Sequence, residues 1–147
     1  MRKITHIVIH CTGASQNQTI ASIKAFWKDV LKWKNVGYHR IIEADGKVTE
    51  LASPETITNG VAGHNANSYH ISWIGGQNGI DNRTIEQQCA LRSEVERAKK
   101  MFPNAKVVGH RDFSPDLNGD GIISPNEWTK QCPSFEVKKW LQEINLN

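Results

Sequence analysis

The run Ile4-Thr5-His6-Ile7-Val8-Ile9-His10 constrains the fold more than any other stretch of this chain. Its β-branched residues make both faces of an extended segment apolar. A strand with one wet face alternates apolar and polar residues, whereas a run apolar on both faces belongs inside a sheet covered on each side. That cover calls for helices, so the expected class is α/β. At 147 residues the chain has room for one such core, and the whole of 1–147 is read as a single domain.

The remaining pattern supplies the other elements. Thr12-Gly13-Ala14-Ser15 breaks the first strand. Ile23, Phe26, Trp27, Val30 and Leu31 recur at helical spacing and predict a helix over 19–33. A strand over 38–43, the turn formers Asp45-Gly46 and a short strand over 47–51 read as a hairpin. A long loop over 53–67 contains Gly60, Gly63 and His64, and a strand over 69–74 stops at Gly75-Gly76. Thr84-Ile85-Glu86-Gln87 has capping-box spacing and opens a helix reaching about Lys100. A strand over 105–108 leads into Gly109-His110, 111–131 is loop-like, and Ser134 is expected to cap a last helix reaching about Ile144.

Charge excludes some partners. A net charge of +3 suits an anionic polymer such as a cell wall but is too small and too scattered to argue for nucleic acid. No segment has the length of a membrane-spanning helix. The N-terminal residues lack an apolar run with a cleavage site, so synthesis in the cytoplasm without a secretory signal is expected, with any outside role needing release or another export route. Cys11, Cys89 and Cys132 are an odd number, which argues against a disulfide framework.

His10 and His110 each end a strand. Ligands of open α/β sheets gather beyond the carboxyl ends of strands, so the two imidazoles can converge at one rim. Cys132, just before Pro133, is a natural third donor. Imidazole nitrogen and thiolate sulfur are zinc ligands, and three protein donors leave a fourth position for water, as in catalytic sites. His6 shares a strand face with His10 and competes for the role, but its deeper position assigns it to packing or to a hydrogen bond behind the ligands. His39 reads as a satisfied sheet residue, and Cys11 and Cys89 as small buried hydrophobes.

Assembled in order, these segments resemble the N-acetylmuramoyl-L-alanine amidase family, especially its short zinc-dependent phage endolysins. The resemblance is carried by Ile7-Val8-Ile9-His10-Cys11-Thr12, by Val36-Gly37-Tyr38-His39-Arg40-Ile41-Ile42 followed by Asp45-Gly46, and by Gly60-Val61-Ala62-Gly63-His64-Asn65. Val108-Gly109-His110-Arg111-Asp112 and Lys130-Gln131-Cys132-Pro133-Ser134-Phe135 complete it. The resemblance implies a mixed central β-sheet flanked by helices and hydrolysis of the amide between muramic acid and L-alanine in peptidoglycan. The expected partner is peptidoglycan, with no nucleic acid or membrane partner, and the chain is expected to act as a monomer. Peptidoglycan-recognition proteins share the fold and some bind without cutting; cysteine at the third position favours the catalytic version.

Roles follow for three more residues. The resemblance puts the Tyr38 hydroxyl near the zinc-bound water; on residue pattern alone Tyr38 is a sheet tyrosine packed on the core. Lys130 stands two before Cys132, and residues two apart in an extended segment share a side, which sets its ammonium beside the metal to stabilise an oxyanion. Its alternative is a solvent-facing loop lysine. His64, in a glycine-bordered loop, is the expected substrate contact. No Asp or Glu is placed as a general base.

A second metal pattern lies between the last two donors. Over 116–127, Asp116, Asn118, Asp120, Ile122, Ser124 and Glu127 occupy the ligand positions of a calcium loop, Ile122 through its carbonyl, with Gly121 at the sixth position. The loop reads as an insertion holding structural calcium, and Pro115 argues against a full helix before it. An Asp/Asn/Gly-rich turn without an ion is the alternative. Two rival functions are a non-catalytic peptidoglycan-binding module and a calcium-dependent interaction domain; a zinc hydrolase with another amide substrate is a third.

Overall fold

In the computed structural model, which describes residues 2–146, Ile7, Val8 and Ile9 are fully buried in an interior strand, β1 (His6–Cys11). β1 pairs in parallel with β4 (Ser68–Trp73) on one side and with β5 (Lys106–Gly109) on the other. β2 (Arg40–Ile42) runs parallel to β4, and β3 (Val48–Glu50) turns back antiparallel beside β2. The order β3-β2-β4-β1-β5 is therefore a mixed sheet. Its one antiparallel pair is the expected hairpin. Gly46 takes φ of 89° there, a conformation that penalises a Cβ, and Asp45 Oδ1 accepts the Lys47 amide at 2.9 Å.

Two helices, α2 (Ile85–Met101) and α3 (Val137–Glu143), cover one face. Leu91, Val95 and Ala98 of α2 and Trp140 and Leu141 of α3 pack with Ile7, Ile9, Ile71 and Trp73 in the main core. The capping box at Thr84 forms as its spacing predicts: Gln87 N donates to Thr84 Oγ1 and Thr84 N to Gln87 Oε1, both at 3.0 Å. Gln87 is fully buried because its amide also donates to the carbonyls of Ile42 and Ile74, tying α2 to two strand ends. Arg40 and Glu94, 2.6 Å apart, make a second tie between α2 and the sheet.

The other face differs from expectation. The helix predicted over 19–33 is a short α1 (Ile20–Ala25) followed by a wider turn over Phe26–Val30, where the Leu31 amide bonds the Phe26 carbonyl. Of its apolar positions only Ile23 and Trp27 are buried, against Ile41 and Ile74; Phe26, Val30 and Leu31 stay exposed. Four residues separate the buried pair, so one helical stripe docks while the rest looks outward. The last helix is also shorter. It begins at Val137 after Glu136, and Ser134 does not cap it: Ser134 is buried at φ 70°, its hydroxyl donating to the Gly76 carbonyl. Among the described residues no helix is long and apolar enough to cross a membrane.

Candidate functional site

Strand geometry decides which side chains meet. His10 is opposite Ser72 and Val8 opposite His70 in the β1–β4 register, so His10 and His70 are diagonal neighbours on one sheet face. Cys11, next along the strand, points into the main core, as expected for a small buried hydrophobe. Cys89 departs from that expectation: it lies on the solvent side of α2 and is exposed.

β5 carries the chain to Gly109 and delivers His110 beside His10, ring centroids 4.9 Å apart. The short segment after it is built from the Gly109-His110-Arg111-Asp112 sequence. Asp112 caps the turn by accepting the Gly109 amide at 2.7 Å, and the Arg111 amide donates to the Cys132 carbonyl at 2.9 Å. Arg111 is buried with its guanidinium 3.6 Å above the Trp128 ring. A Cβ on Gly109 would lie 2.8 Å from Pro133 Cδ, so glycine there lets the His110 and Cys132 segments touch.

The result is a group of three donors, His10, His110 and Cys132, with nitrogen and sulfur atoms all within 4.8 Å of one another. His10 Nδ1 and Cys132 Sγ are 3.7 Å apart. Tetrahedral zinc with bonds of about 2.0 Å to nitrogen and about 2.3 Å to sulfur spaces such donors by about 3.6 Å, so the residues fit that ion. Protonation agrees. Burial, then the neighbouring His70, His110 and His39, push the His10 pKa well down. Burial and the charge of Lys130 lower His110 to about 4, so both rings are neutral, as ligands must be. Burial pushes the Cys132 thiol up, so a thiolate here calls for a cation beside it. The Cys11 amide already points at that sulfur from 3.2 Å.

His110 and Cys132 line a groove of about 960 Å3, with His10 buried against them. Tyr38, His64 and Lys130 line the same groove. The Tyr38 ring lies 5.0 Å from that of His10, and its hydroxyl is 3.5 Å from the Cys11 carbonyl. Burial and the nearby Cys132 raise its phenol pKa, keeping the proton on. Lys130 and His64 are exposed at the rim, His64 with its ring 4.4 Å from Phe113. His6 is half-buried, its Nδ1 2.9 Å from Thr5 Oγ1 and its ring 5.4 Å from that of Phe113. His39 is a satisfied sheet residue as expected: its Nδ1 accepts the His70 amide and its Nε2 donates to the Thr56 carbonyl.

The sequence reading missed His70 and Asn65. His70 is fully buried, with Nδ1 2.8 Å from His10 Nε2 and Nε2 2.9 Å from Asn65 Oδ1. The available signal was period two, which sets His70 on the face of Ser72, but only the β1–β4 register shows that this face is that of His10.

The loop over 116–127 stands apart from the groove. Carboxylate oxygens of Asp116, Asp120 and Glu127 lie within 4.8 Å of one another. All three accept loop amides: Asp116 those of Gly119 and Gly121, Asp120 that of Ile122, and Glu127 those of Leu117, Asn118 and Ser124.

Comparison with known proteins agrees with this architecture. The family model for N-acetylmuramoyl-L-alanine amidase matches residues 1–134. The endolysin of Escherichia phage T7 is 30% identical over 149 residues, covering 95% of this chain and 87% of that protein. The amidase LysC from Clostridium intestinale superposes with a TM-score of 0.76 at 21% identity, covering 99% of this chain and 88% of that one. Bumblebee PGRP-SA gives 0.73 at 18% identity, covering 97% and 82%.

Proposed function

This chain belongs to the N-acetylmuramoyl-L-alanine amidase family, and from that premise we propose that it cleaves the amide between N-acetylmuramic acid and L-alanine in peptidoglycan. His10, His110 and Cys132 would hold a zinc ion for this reaction. The observation that carries the reading is the meeting of these three donors, two of which line the groove, with a rim open to solvent. When bound, the ion supplies a nucleophilic water at neutral pH and polarises a carbonyl.

The chain's own residues do the rest. Lys130 offers its ammonium to the charge that develops on the carbonyl oxygen, and the same charge helps keep His110 neutral. Tyr38, protonated and facing the groove, orients the attacking water through its hydroxyl. His64 contacts the substrate from the rim. Trp27 and Trp33, ring centroids 6.3 Å apart along the groove, give sugar or peptide a flat apolar wall.

Digestion of purified peptidoglycan followed by mass spectrometry tests the bond. Stem peptides beginning with a free L-alanine are the expected product; glycan cleavage, peptide cleavage or an intact polymer overturns the reading, the last being the result for a pure binding module. Lys130→Ala should lower turnover by about 10²–10³-fold with zinc content unchanged. Equal turnover removes Lys130 from the chemistry.

The 116–127 insertion is proposed to hold a structural calcium, a reading supported by its residue pattern and by the spacing of Asp116, Asp120 and Glu127. Calorimetric titration of chelator-treated protein should give binding heat at or below millimolar calcium. No heat in that range removes the ion and leaves a loop closed on its own amides.

A further inference from the structure

We propose that His70 and Asn65 are positioning residues that hold His10 in the one tautomer able to present Nδ1 to the metal. The proposal rests on the metal site assigned above.

The direction of every bond follows from one end of the chain of contacts. A backbone N–H can only donate, so the Val61 amide, 2.8 Å from Asn65 Oδ1, fixes that atom as the carbonyl oxygen of the side chain. His70 Nε2, 2.9 Å from the same oxygen, must then carry a hydrogen. His70 is fully buried and its ring partners are His10 and the Asn65 amide, with no carboxylate to balance a charge, so its ring is neutral and Nδ1 keeps a lone pair. His10 Nε2, 2.8 Å from that lone pair, must donate to it. A neutral His10 with hydrogen on Nε2 has its own lone pair on Nδ1, the nitrogen that faces Cys132 Sγ across 3.7 Å.

The packing keeps this relay from turning. A Cβ on Gly60 would fall 2.4–2.5 Å from three atoms of the His70 ring, so the loop backbone lies flat against the imidazole. His39, with its ring stacked 5.9 Å from that of His70, receives the His70 amide and braces the same strand position. Zinc-bound histidines commonly give their second N–H to a carboxylate or a carbonyl, and loss of such a partner weakens metal binding by about 10–100-fold. Here the acceptor is a neutral ring. It orients His10 without adding a negative charge, and Cys132 is left as the one anionic donor of the group of three.

The test uses metal-free protein and competition for zinc against a chromophoric chelator. His70→Phe keeps a ring but offers no acceptor, and it should bind zinc about 10–100-fold more weakly while circular dichroism stays native. His70→Gln, whose side-chain carbonyl can accept the same bond, should recover most of that affinity. Equal affinity in the wild type and His70→Phe overturns the proposal. A wild-type chain that takes up no zinc overturns the metal site beneath it. Two-bond proton–nitrogen correlation spectra of the unmutated metal-free protein give an answer that no folding defect can blur. Hydrogen on His10 Nε2 is expected, and hydrogen on Nδ1 overturns the relay.

Discussion

Cys132→Ser should empty the proposed metal site and lower peptidoglycan hydrolysis by about 10⁴-fold or more. Two contributions vanish together, activation of water at neutral pH and polarisation of the amide carbonyl, each worth several kcal/mol. At about 1.4 kcal/mol per factor of ten, their joint loss reaches that size. Serine is the informative replacement. Its hydroxyl stays protonated and is a poor ligand for a site built on a soft thiolate. Its oxygen can still accept the Cys11 amide now 3.2 Å from Cys132 Sγ, whereas alanine would leave that buried N–H unpaired at about 1–3 kcal/mol. The serine variant therefore separates metal loss from damage to the fold. A turbidity assay on cell walls, paired with zinc analysis of the same sample, checks it. Full lysis with full zinc content would remove Cys132 from the site.

Where one local rule decided an element, the sequence was enough to read it. β1 has no polar face to offer water, and it is an interior strand; Thr84 and Gln87 are spaced to cap each other, and they do. Asp45-Gly46 makes its turn because few residue pairs tolerate that backbone. Where two partners competed for the same residues, local pattern misled. The apolar positions of 19–33 look like one stripe, yet the sheet accepts only Ile23 and Trp27, and the chain leaves the helix near Val30. Ser134 has the side chain of a cap, but it lies where the Cys132 segment folds onto Gly76, and its hydroxyl is taken there. Cys89 was read from residue type alone, and α2 turns it outward.

The candidate site divides in the same way. His10 and His110 were legible as partners because both end strands and strand ends share a rim. Tyr38 and Lys130 needed the family resemblance or an assumed extended backbone, and the structure sets both at the groove. His70 was not legible. Its neighbours in sequence, Tyr69 and Ile71, make it one more residue of an apolar strand, and only the β1–β4 register reveals the hydrogen bond to His10.

Trp73→Ala should cost about 3–5 kcal/mol of unfolding free energy, a large share of the roughly 5–15 kcal/mol that holds a domain together. Trp73 has no exposed surface and lies among Ile9, Cys11, Ile71 and Phe135 in the main core. Truncation leaves a cavity that a parallel strand, hydrogen-bonded on both sides, cannot collapse to fill. The indole also does what a purely apolar residue cannot: its Nε1–H donates to the Pro133 carbonyl at 3.2 Å, anchoring the segment directly after Cys132. Trp73→Phe separates these contributions, because it keeps most of the ring volume and loses the N–H. It should cost less stability, about 1–3 kcal/mol, while zinc affinity falls because the Cys132 segment is less firmly seated. Urea titration of both variants gives the stabilities, and chelator competition gives the affinities. A loss below about 1 kcal/mol for Trp73→Ala would mean that the main core does not depend on this residue. Unchanged zinc affinity in Trp73→Phe would mean that the Pro133 bond plays no part in placing the thiolate.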